Sequence, residues 1–451
     1  MSGFSQHKQR RMEVTQVSNQ ATPNKKGNPY ISLEASMGEE LYNVSRVSPM
    51  RCIYRVPYRL RHVHENAYTP KLVSIGAFHH GNAALKPMEE HKMRYLKAFL
   101  DRSTLNLSGY VLKIKAQEER MRSCYIETIE LDSDEFARIV LVDATFIIEV
   151  LLRSYYGHLV DEDDCIFRRP RLIVDLLPDM LLLENQLPFF ILEDLCPDFI
   201  DLSSGGTFER LSMVFLSLQL LHKMRVSGIE GTAQENVVNI RSQQVKVKHL
   251  LDLLRTLLIL PISKSQIRGT FQHFPSTTKL HQAGVKFKVG PSKNLFSIRF
   301  TDGILEIPKL TITDNTELIM RNVVAYEQCE YPFELHISAY VVILDYFVDT
   351  AKDVELLVDY GIIKNCLCDN KEVSRLINSL SSGVALYHGE FYFSTISQKL
   401  SEYCDVRWHK SIANLRQNYF NTPWRTISVV AASTFLVLTF VQTVCSVISV
   451  A

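Results

Sequence analysis

The stretch that decides the fold is residues 133–157, SDEFARIVLVDATFIIEVLLRSYYG. Its apolar side chains recur every three, four and seven residues, which places them on one face of an α-helix. They are Phe136, Ile139, Val140, Phe146, Ile147, Val150 and Leu151. Asp132 and Glu135 have the spacing of a capping box before this run, and Gly157 is a stop signal after it. The pattern predicts a long helix that packs against a protein core.

Asp143 lies on the apolar face of that predicted helix. A carboxylate there must be paired with a cation, capped by hydrogen-bond donors, or kept protonated by a raised pKa. It is therefore either a structural anchor bonded to a neighbouring helix or an arginine, or a poised acid or base. The structural interpretation is the more frequent one, and both stay open at the level of sequence.

The helical repeat recurs along most of the chain. It predicts further helices over 85–100, 207–225, 245–260, 315–329, 334–350, 371–381 and 390–420. Between 284 and 313, apolar and polar residues alternate instead, with turn signals at Gly290-Pro291-Ser292 and Asp302-Gly303. We predict a mainly α fold with a small antiparallel β meander of three strands (α+β), plus one C-terminal transmembrane helix.

Stretches of polar composition predict the domain organisation. Residues 226–245 and 261–278 are polar, with Gly, Ser and Gln, which is typical of loops. They favour a boundary near 230 between an N-terminal helical unit, 49–230, and a second α+β unit of the same domain, 231–422. Residues 1–48 begin with a basic, polar stretch that has too little apolar area to form a core. We therefore expect a disordered or weakly ordered tail there.

The end of the sequence, residues 427–451, reads ISVVAASTFLVLTFVQTVCSVISVA and contains no charged side chain. As a helix it would be about 37 Å long, enough to cross a hydrocarbon core of about 30 Å. Trp424 stands at the entrance of the run, and Arg416 and Arg425 precede it, as membrane-interface residues do. We expect a single-pass protein of the plasma membrane or an endomembrane, anchored in lipid by 423–451, with the bulk of the chain cytosolic.

Composition argues against several classes of protein. Lys and Arg total 50 and Asp and Glu total 49, a net charge of +1, which gives no sign of a nucleic-acid binder. The nine cysteines include no Cys-x-x-Cys pair, so we expect reduced structural thiols without a metal. The sequence lacks the common phosphate-binding, dinucleotide-binding, zinc-protease and kinase motifs. We expect no cofactor, name no catalytic or metal-binding residue, and lean against an enzyme.

A polar motif interrupts the apolar run between 172 and 195. In LENQLPFF, residues 183–190, Pro188 cannot continue a helix, because its ring clashes with the preceding turn. The three polar residues before it, Glu184, Asn185 and Gln186, then have two interpretations. They satisfy the backbone groups left free at a broken helix, or they form a ligand site there.

A second polar motif is Phe78-His79-His80-Gly81. Adjacent histidines can supply a metal ligand, but no carboxylate or cysteine lies at ligand spacing from His79 and His80. A hydrogen-bonding role in a loop that ends at Gly81 is the simpler interpretation.

These motifs resemble the plant DUF247 family, also called UPF0481, and the resemblance runs from about residue 50 to the end. It rests on ordered sequence blocks at 53–57, 68–76, 79–81, 183–190, 249–253, 283–287, 305–308, 321–322 and 325–328. The candidate structural or functional positions within the family motifs are His79, His80, Asp143, Glu184, Asn185, Gln186, Asn322 and Glu327. The resemblance implies a land-plant protein with a large helical domain and a C-terminal membrane anchor, and it supplies no established catalytic residue. Some members are implicated in pollen–stigma recognition in grasses, and the topology inferred for them would place the domain outside the cell.

Functions from different classes fit these features. The first is a membrane-anchored protein-interaction, signalling or recognition component with a protein partner, favoured by the single terminal span and the missing catalytic motifs. The alternative is an enzyme of unrecognised type that uses buried carboxylates, Asp143 with Glu184 or His79, which would have to converge in one cleft. A receptor for a small ligand is a third hypothesis, and it would need a large apolar pocket.

Overall fold

The computed structural model describes residues 29–43, 48–196, 213–229, 231–260, 262, 269–387, 389–405 and 423–450. The chain divides into two units, residues 1–49 and residues 50–451. The described part of the first unit contains helix α1, Pro29–Asn43, on which Leu33, Met37 and Leu41 are exposed. The rest of the predicted N-terminal tail, residues 1–28 and 44–47, lies outside the described residues.

The second unit is mainly helical, as the sequence predicts. Its helices are α2 Tyr58–Arg61, α3 Pro87–Asp101, α4 Leu107–Ala116, α5 Glu118–Arg122, α6 Ser133–Tyr155, α7 Pro170–Asp179, α8 Phe189–Leu195, α9 Met213–Lys223, α10 Ala233–Ser242, α11 Leu250–Ile259, α12 Thr277–Gln282, α13 Thr316–Glu330, α14 His336–Phe347, α15 Ala351–Asp359, α16 Asn370–Leu380, α17 Ser394–Asp405 and α18 Pro423–Val450. Short 3₁₀ turns cover Glu65–Ala67, Ala83–Leu85 and Gly157–Leu159.

Helix α6 is the long helix that residues 133–157 predict, and it lies at the centre of the N-terminal half. The Asp132 side chain accepts the Glu135 amide at 2.8 Å at its start. It packs against α3, α4, α8 and α9. Because neighbours lie on several sides, almost every side chain from 136 to 153 is buried, not only the predicted apolar stripe.

The other predicted helices are present within the described residues, as α3, α9, α11, α13, α14, α16 and α17. The predicted stretches 207–212 and 406–420 lie outside those residues. The prediction of a loop over 226–245 is wrong, because α10 occupies Ala233–Ser242. Thr232 and Glu235 form a capping box at its start, and Val237 and Ile240 are buried. Ala233 is buried as well, so three buried apolar residues and a cap suffice for a helix that a polar composition conceals.

The predicted three strands exist, as β1 Lys286–Val289, β2 Arg299–Thr301 and β3 Ile304–Ile307. The hairpin between β2 and β3 is confirmed: Asp302 and Gly303 both have positive φ, as a tight hairpin turn requires. The prediction of an antiparallel meander is wrong, because β1 pairs parallel with β3 and the strand order is β1-β3-β2. Residues 290–298 bury Leu295 and Phe296 in the core instead of turning back tightly, so β2 reaches the far edge of β3.

A second sheet, which the sequence did not predict, pairs β4, Leu310–Ile312, with β5, Ile363–Asn365, in parallel. The buried apolar residues of the second unit form one continuous cluster from Cys52 to Leu400. The boundary near residue 230 between two parts of this domain therefore stays a prediction, while the described residues from both sides of it share one core.

Candidate functional site: a buried polar connector

The LENQLPFF motif lies in the connector between α7 and α8. We call residues 179–188 the polar connector and residues 70–81 the facing loop. Helix α7 ends at Asp179, and Pro188 is the residue before the first turn of α8, so the broken helix predicted from Pro188 is present. Glu184, Asn185 and Gln186 are buried although none of them is apolar.

Asn185 and Asp179 attach the connector to the facing loop. Asn185 Oδ1 accepts the Ile75 amide at 2.7 Å, and its Nδ2 donates to the carbonyls of Val73 and Asp179 at 2.9 Å each. The Asp179 carboxylate accepts the amides of residues 71, 72 and 73 at 2.7–3.1 Å. Burial raises the pKa of Asp179, and these three amides oppose the shift. Both side chains thus replace the partners that a regular strand or helix would supply.

Gln186 and Asn322 attach the connector to the helical body. Gln186 Nε2 donates to the carbonyls of residues 180 and 182 at 2.8 Å each, and its Oε1 accepts the Leu251 amide at the start of α11. Asn322 on α13 accepts the Leu183 amide at 2.9 Å and donates to the Ala67 carbonyl at 2.8 Å. The structural interpretation of these motif residues accounts for every bond named here.

Glu184 is the second carboxylate of the connector, after Asp179, and it accepts hydrogen bonds from the N-terminal segment. Its Oε1 accepts the Val56 amide at 2.7 Å and Arg61 Nη2 at 2.6 Å. Arg55 Nη1 and His79 Nε2 each lie 3.5 Å from its Oε2. Burial pushes its pKa upward, but the contacts of His79, Val56 and Arg61 prevail and lower it to about 2. Glu184 is thus an ionised structural carboxylate near neutral pH, which is unsuited to donate a proton there.

Asp143 is both paired and capped, two of the three states that the sequence allows. Lys92 Nζ, fully buried on α3, donates to its Oδ1 at 2.7 Å, and the Gly76 amide donates to its Oδ2 at 2.8 Å. Lys92 also bonds Glu89 at 2.6 Å and Ser74 at 3.3 Å. Burial works against a charged lysine, but Asp143 and Glu89 outweigh it and raise the pKa of Lys92.

A cavity of about 350 Å³ opens beside this ion pair. Its lining includes Asp143, Glu89 and His80, together with apolar side chains of α3 and α6. His80 Nε2 lies 3.9 Å from Glu135 Oε1 at the start of α6. The volume is at the lower end of the range for small-molecule sites, and Glu184 is not among the lining residues described.

Asp143 and Glu184 therefore have separate sets of partners. No described hydrogen bond or ion pair joins them: Lys92 and the Gly76 amide donate to Asp143, whereas the Val56 amide and Arg61 donate to Glu184. His79 approaches Glu184 but makes no described bond to Asp143. Among the described residues, no group of three His, Cys, Asp or Glu side chains could hold a metal ion. The convergence required by an acid–base pair of Asp143 with Glu184 or His79 is not seen among the described contacts.

Glu327 lies in a second buried network, at the start of α14. Its carboxylate accepts the amides of Ile337 at 3.1 Å and Ser338 at 2.7 Å, and Arg255 Nε lies 3.4 Å away. Burial raises the pKa of Glu327, and Arg255 opposes the shift. The arginine also covers the Tyr331 ring at 3.5 Å. Glu327 thus caps one helix while it neutralises a buried cation.

The candidate positions named from the sequence leave out several members of these networks, among them Lys92, Asp179, His249 and Asp252, although His249 and Asp252 lie in the family block 249–253. His249 accepts the Asp252 amide on Nδ1 at 3.1 Å and donates from Nε2 to the Cys52 carbonyl at 2.9 Å, and burial lowers its pKa to about 4. Asp252 accepts the hydroxyls of Tyr326 and Tyr331 at 3.0 Å each. The available signal was a charged or polar residue at the edge of an apolar run, as in HLLDLL, residues 249–254.

The predicted membrane-interface residues are only partly described. Trp424 and Arg425 lie in the first turn of α18. Arg416 lies outside the described residues.

Comparison with known proteins agrees with these motifs. The chain is similar to two proteins of Arabidopsis thaliana. It is 29% identical to UPF0481 protein At3g47200 over 428 residues, which cover 88% of this chain and 86% of the relative. It is 24% identical to Putative UPF0481 protein At3g02645, over 91% of this chain and 93% of the relative. No solved structure matches the chain.

A family model covers most of the sequence. It matches residues 53–438, which include the facing loop, the polar connector and most of α18. The blocks that suggested the resemblance lie inside that match. The chain belongs to the DUF247 family, described as plant proteins of unknown function.

Proposed function

We propose that this protein is a membrane-tethered component that binds a protein partner through its helical body. The observation that carries the proposal is α18. Its segment Ile427–Cys445 is 19 residues long, has a mean hydropathy of 2.0, and is 0% buried. So much apolar surface is unfavourable in water and favourable in a bilayer, whose core a helix of about 20 residues spans.

The polar side chains of α18 support a lipid environment. The hydroxyls of Thr434, Thr439 and Thr443 each donate to the carbonyl four residues before them, at 2.8 Å. A polar group in lipid must find its partner within the protein, and these threonines find it within their own helix.

A binding role for the body is supported by the use of its motif residues. Three of these side chains form hydrogen bonds with the protein's own backbone, namely those of Asn185, Gln186 and Asn322. The most recognisable family residues thus maintain a shape. A fixed shape next to a membrane anchor suits recognition of another protein, which depends on a preorganised surface.

Alkaline carbonate extraction tests the tether. We expect the full-length chain to stay with the membrane pellet and a chain truncated before Pro423 to appear in the supernatant. Release of the full-length chain by carbonate would refute the span. Protease protection on sealed microsomes then tests the cytosolic orientation, and a body that survives protease would reverse it.

Proximity labelling in plant cells tests the partner. The full-length chain, the chain without 423–451, and residues 423–451 alone should each carry the labelling enzyme. We expect a reproducible set of neighbours for the full-length chain that the anchor alone does not label. Identical sets for the anchor and the full-length chain would contradict a binding role for the body.

A further inference from the structure

Two buried cysteines far apart in the sequence are neighbours in the fold. Cys52 is 3% exposed and Cys124 is 1% exposed. The Cys52 amide donates to the Cys124 carbonyl at 2.9 Å, and Ile53 and Tyr125 form a parallel β-bridge. Cys52 and Cys124 precede that bridge by one residue on each segment, so they lie opposite each other.

This backbone arrangement fits a disulfide. Cys52 and the turn residue Cys124 stand one position before a parallel β-bridge, and residues paired in such a register have backbones about 4.8 Å apart. Disulfides join residues whose Cα atoms are about 4.4–6.8 Å apart, provided that the side chains face each other. Each thiol is the largest influence on the pKa of the other, which requires the two side chains to lie close together, and Cys124 Sγ donates to the Arg120 carbonyl at 3.4 Å. Both are free thiols in this structure.

The electrostatics of the pair are unequal. The hydrogen bond to Cys124, together with burial, raises the pKa of Cys52. The same hydrogen bond lowers the pKa of Cys124, and the nearby cations Arg120 and Lys246 lower it further. Cys124 is therefore the sulfur better suited to attack as a thiolate, and Cys52 the one that follows.

We propose that Cys52 and Cys124 are a disulfide site, which an oxidised low-molecular-weight disulfide such as glutathione disulfide converts into an intramolecular bond. The Cys124 thiolate attacks one sulfur of the reagent, whose sulfur–sulfur bond breaks and releases one thiolate. Cys52 then loses its proton and attacks the Cys124 sulfur, which releases the second thiolate. The protein loses two electrons and two protons, and the reagent becomes two thiols.

The bond would reinforce the polar connector. It would close a loop through residues 53–123 and fix the segment that carries Arg55 and Val56, two of the donors to Glu184. Constraining a long loop restricts the unfolded chain more than the folded one. Because both sulfurs are buried, we expect the exchange before folding is complete or during local opening of this segment.

Peptide mapping of the full-length protein in detergent tests the site. The protein is equilibrated in glutathione buffers from reducing to oxidising, quenched in acid, alkylated and digested with trypsin without reduction. Cleavage after the arginines at 51, 55, 122 and 138 isolates the two cysteines in peptides 52–55 and 123–138. We expect mass spectrometry to find these peptides joined under oxidising conditions and separate under reducing ones.

Matched variants make the outcome specific. Cys52→Ser should abolish the joined peptide, whereas C366S/C368S, which changes two exposed cysteines, should leave it in place. Reductant should lower the Tm of the oxidised wild type by about 5 °C and leave that of Cys52→Ser unchanged.

The proposal fails if peptides 52–55 and 123–138 are recovered separately although Cys366 and Cys368 acquire glutathione. Translating the full-length chain in vitro in the same buffers removes the barrier of burial, since the thiols then meet the oxidant before folding. Separate peptides in that experiment overturn the site as well. Neither result depends on whether the chain is membrane-tethered or binds a partner.

Discussion

Gly76 lies where the facing loop comes closest to the polar connector. Its φ is +70°, and a Cβ at this position would lie 2.6 Å from the Gln186 carbonyl oxygen and 2.7 Å from Tyr125 Oη. Backbone strain and steric overlap therefore add in Gly76→Ala. We predict that this change lowers the free energy of unfolding by more than about 3 kcal/mol, measured by urea denaturation of the full-length protein in detergent.

Gly81 in the same loop is the matched control. Its φ is +79°, but a Cβ there would meet no atom within 4 Å. Gly81→Ala should cost only the backbone strain, about 1–2 kcal/mol. If both variants lose the same free energy of unfolding, the close approach of Gly76 to Gln186 does not contribute to stability.

Glu184 gives the body a predictable dependence on pH. Its pKa is lowered from 4.5 to about 2, so the stability it contributes is complete above pH 4.5 and is lost as the pH falls toward 2. Glu184→Gln should cost about 2 kcal/mol at pH 7, because Arg61 loses its charged partner. Urea denaturation of both proteins from pH 7 down to pH 2 should show the difference shrinking below pH 4.5.

Glu127 is the control for the effect of charge alone. It bonds Arg55 Nε at 2.6 Å, but its side chain is 46% exposed. An exposed ion pair contributes little, so Glu127→Gln should change stability by less than about 0.5 kcal/mol. A pH-independent difference between wild type and Glu184→Gln would contradict an ionised Glu184.

The ion pair of Lys92 and Asp143 calls for a double-mutant cycle. Among the ion pairs of the described residues, Asp143→Leu leaves the buried Lys92 with Glu89 alone as a charged partner, and it should cost about 3 kcal/mol or more. Adding Lys92→Met removes the unpaired charge, so the double variant should be no less stable than Asp143→Leu. Additive losses in urea denaturation would mean that the two side chains are not coupled.

The sequence could identify some of the carboxylates in these networks, such as Asp143 and Glu184, but not their partners. A carboxylate that interrupts a local apolar pattern indicates a buried charge. Asp143 interrupts an apolar stripe, and Glu184 interrupts an apolar run. Lys92 is 51 positions from its partner Asp143. Arg61, the partner of Glu184, lies on α2, far from the connector in the sequence. No local pattern links such residues, since only the tertiary fold brings them together.

At the scale of elements, the sequence predicts the helices and strands that depend on a pattern within one short stretch. Helix α6 and the β2–β3 hairpin follow from apolar spacing and from Asp302-Gly303. The parallel pairing of β1 with β3 and the β4–β5 sheet depend on contacts between distant segments, which periodicity does not encode. Helix α10 is not predicted, because its capping box, Thr232 and Glu235, stands in a stretch of polar composition.

Glu327 illustrates how one side chain positions an element. It caps the first amides of α14 and faces the buried Arg255. Glu327→Ala should cost about 3–5 kcal/mol, because it leaves an uncompensated buried cation as well as an uncapped helix. Hydrogen exchange should show the protection of α14 falling first. Uniform loss of protection over the whole body would argue against a local capping role.

At the scale of the whole molecule, the polar bonds connect distant parts of the chain. Asn322 bonds both Leu183 and Ala67, and His249 bonds Cys52, across the region where the sequence predicts a boundary. These cross-links could not be read from sequence, whereas the apolar terminal segment could be, because hydropathy and length are properties of one stretch. The chain's architecture thus depends on contacts between distant residues, whereas the proposed attachment to a membrane rests on the composition of one stretch.

The proposed anchor leads to a position-dependent prediction. Leu436 is near the middle of the segment Ile427–Cys445, and Ser428 is near its start. An arginine at the centre of a membrane helix costs about 2.5–3.5 kcal/mol, whereas one near the end can extend to the interface. Leu436→Arg should therefore shift a large share of the full-length protein from the carbonate-resistant pellet to the supernatant, and Ser428→Arg should not. Equal release of both variants would mean that charge acts on the body or on synthesis, and complete retention of both would mean that α18 is not what holds the protein in the membrane.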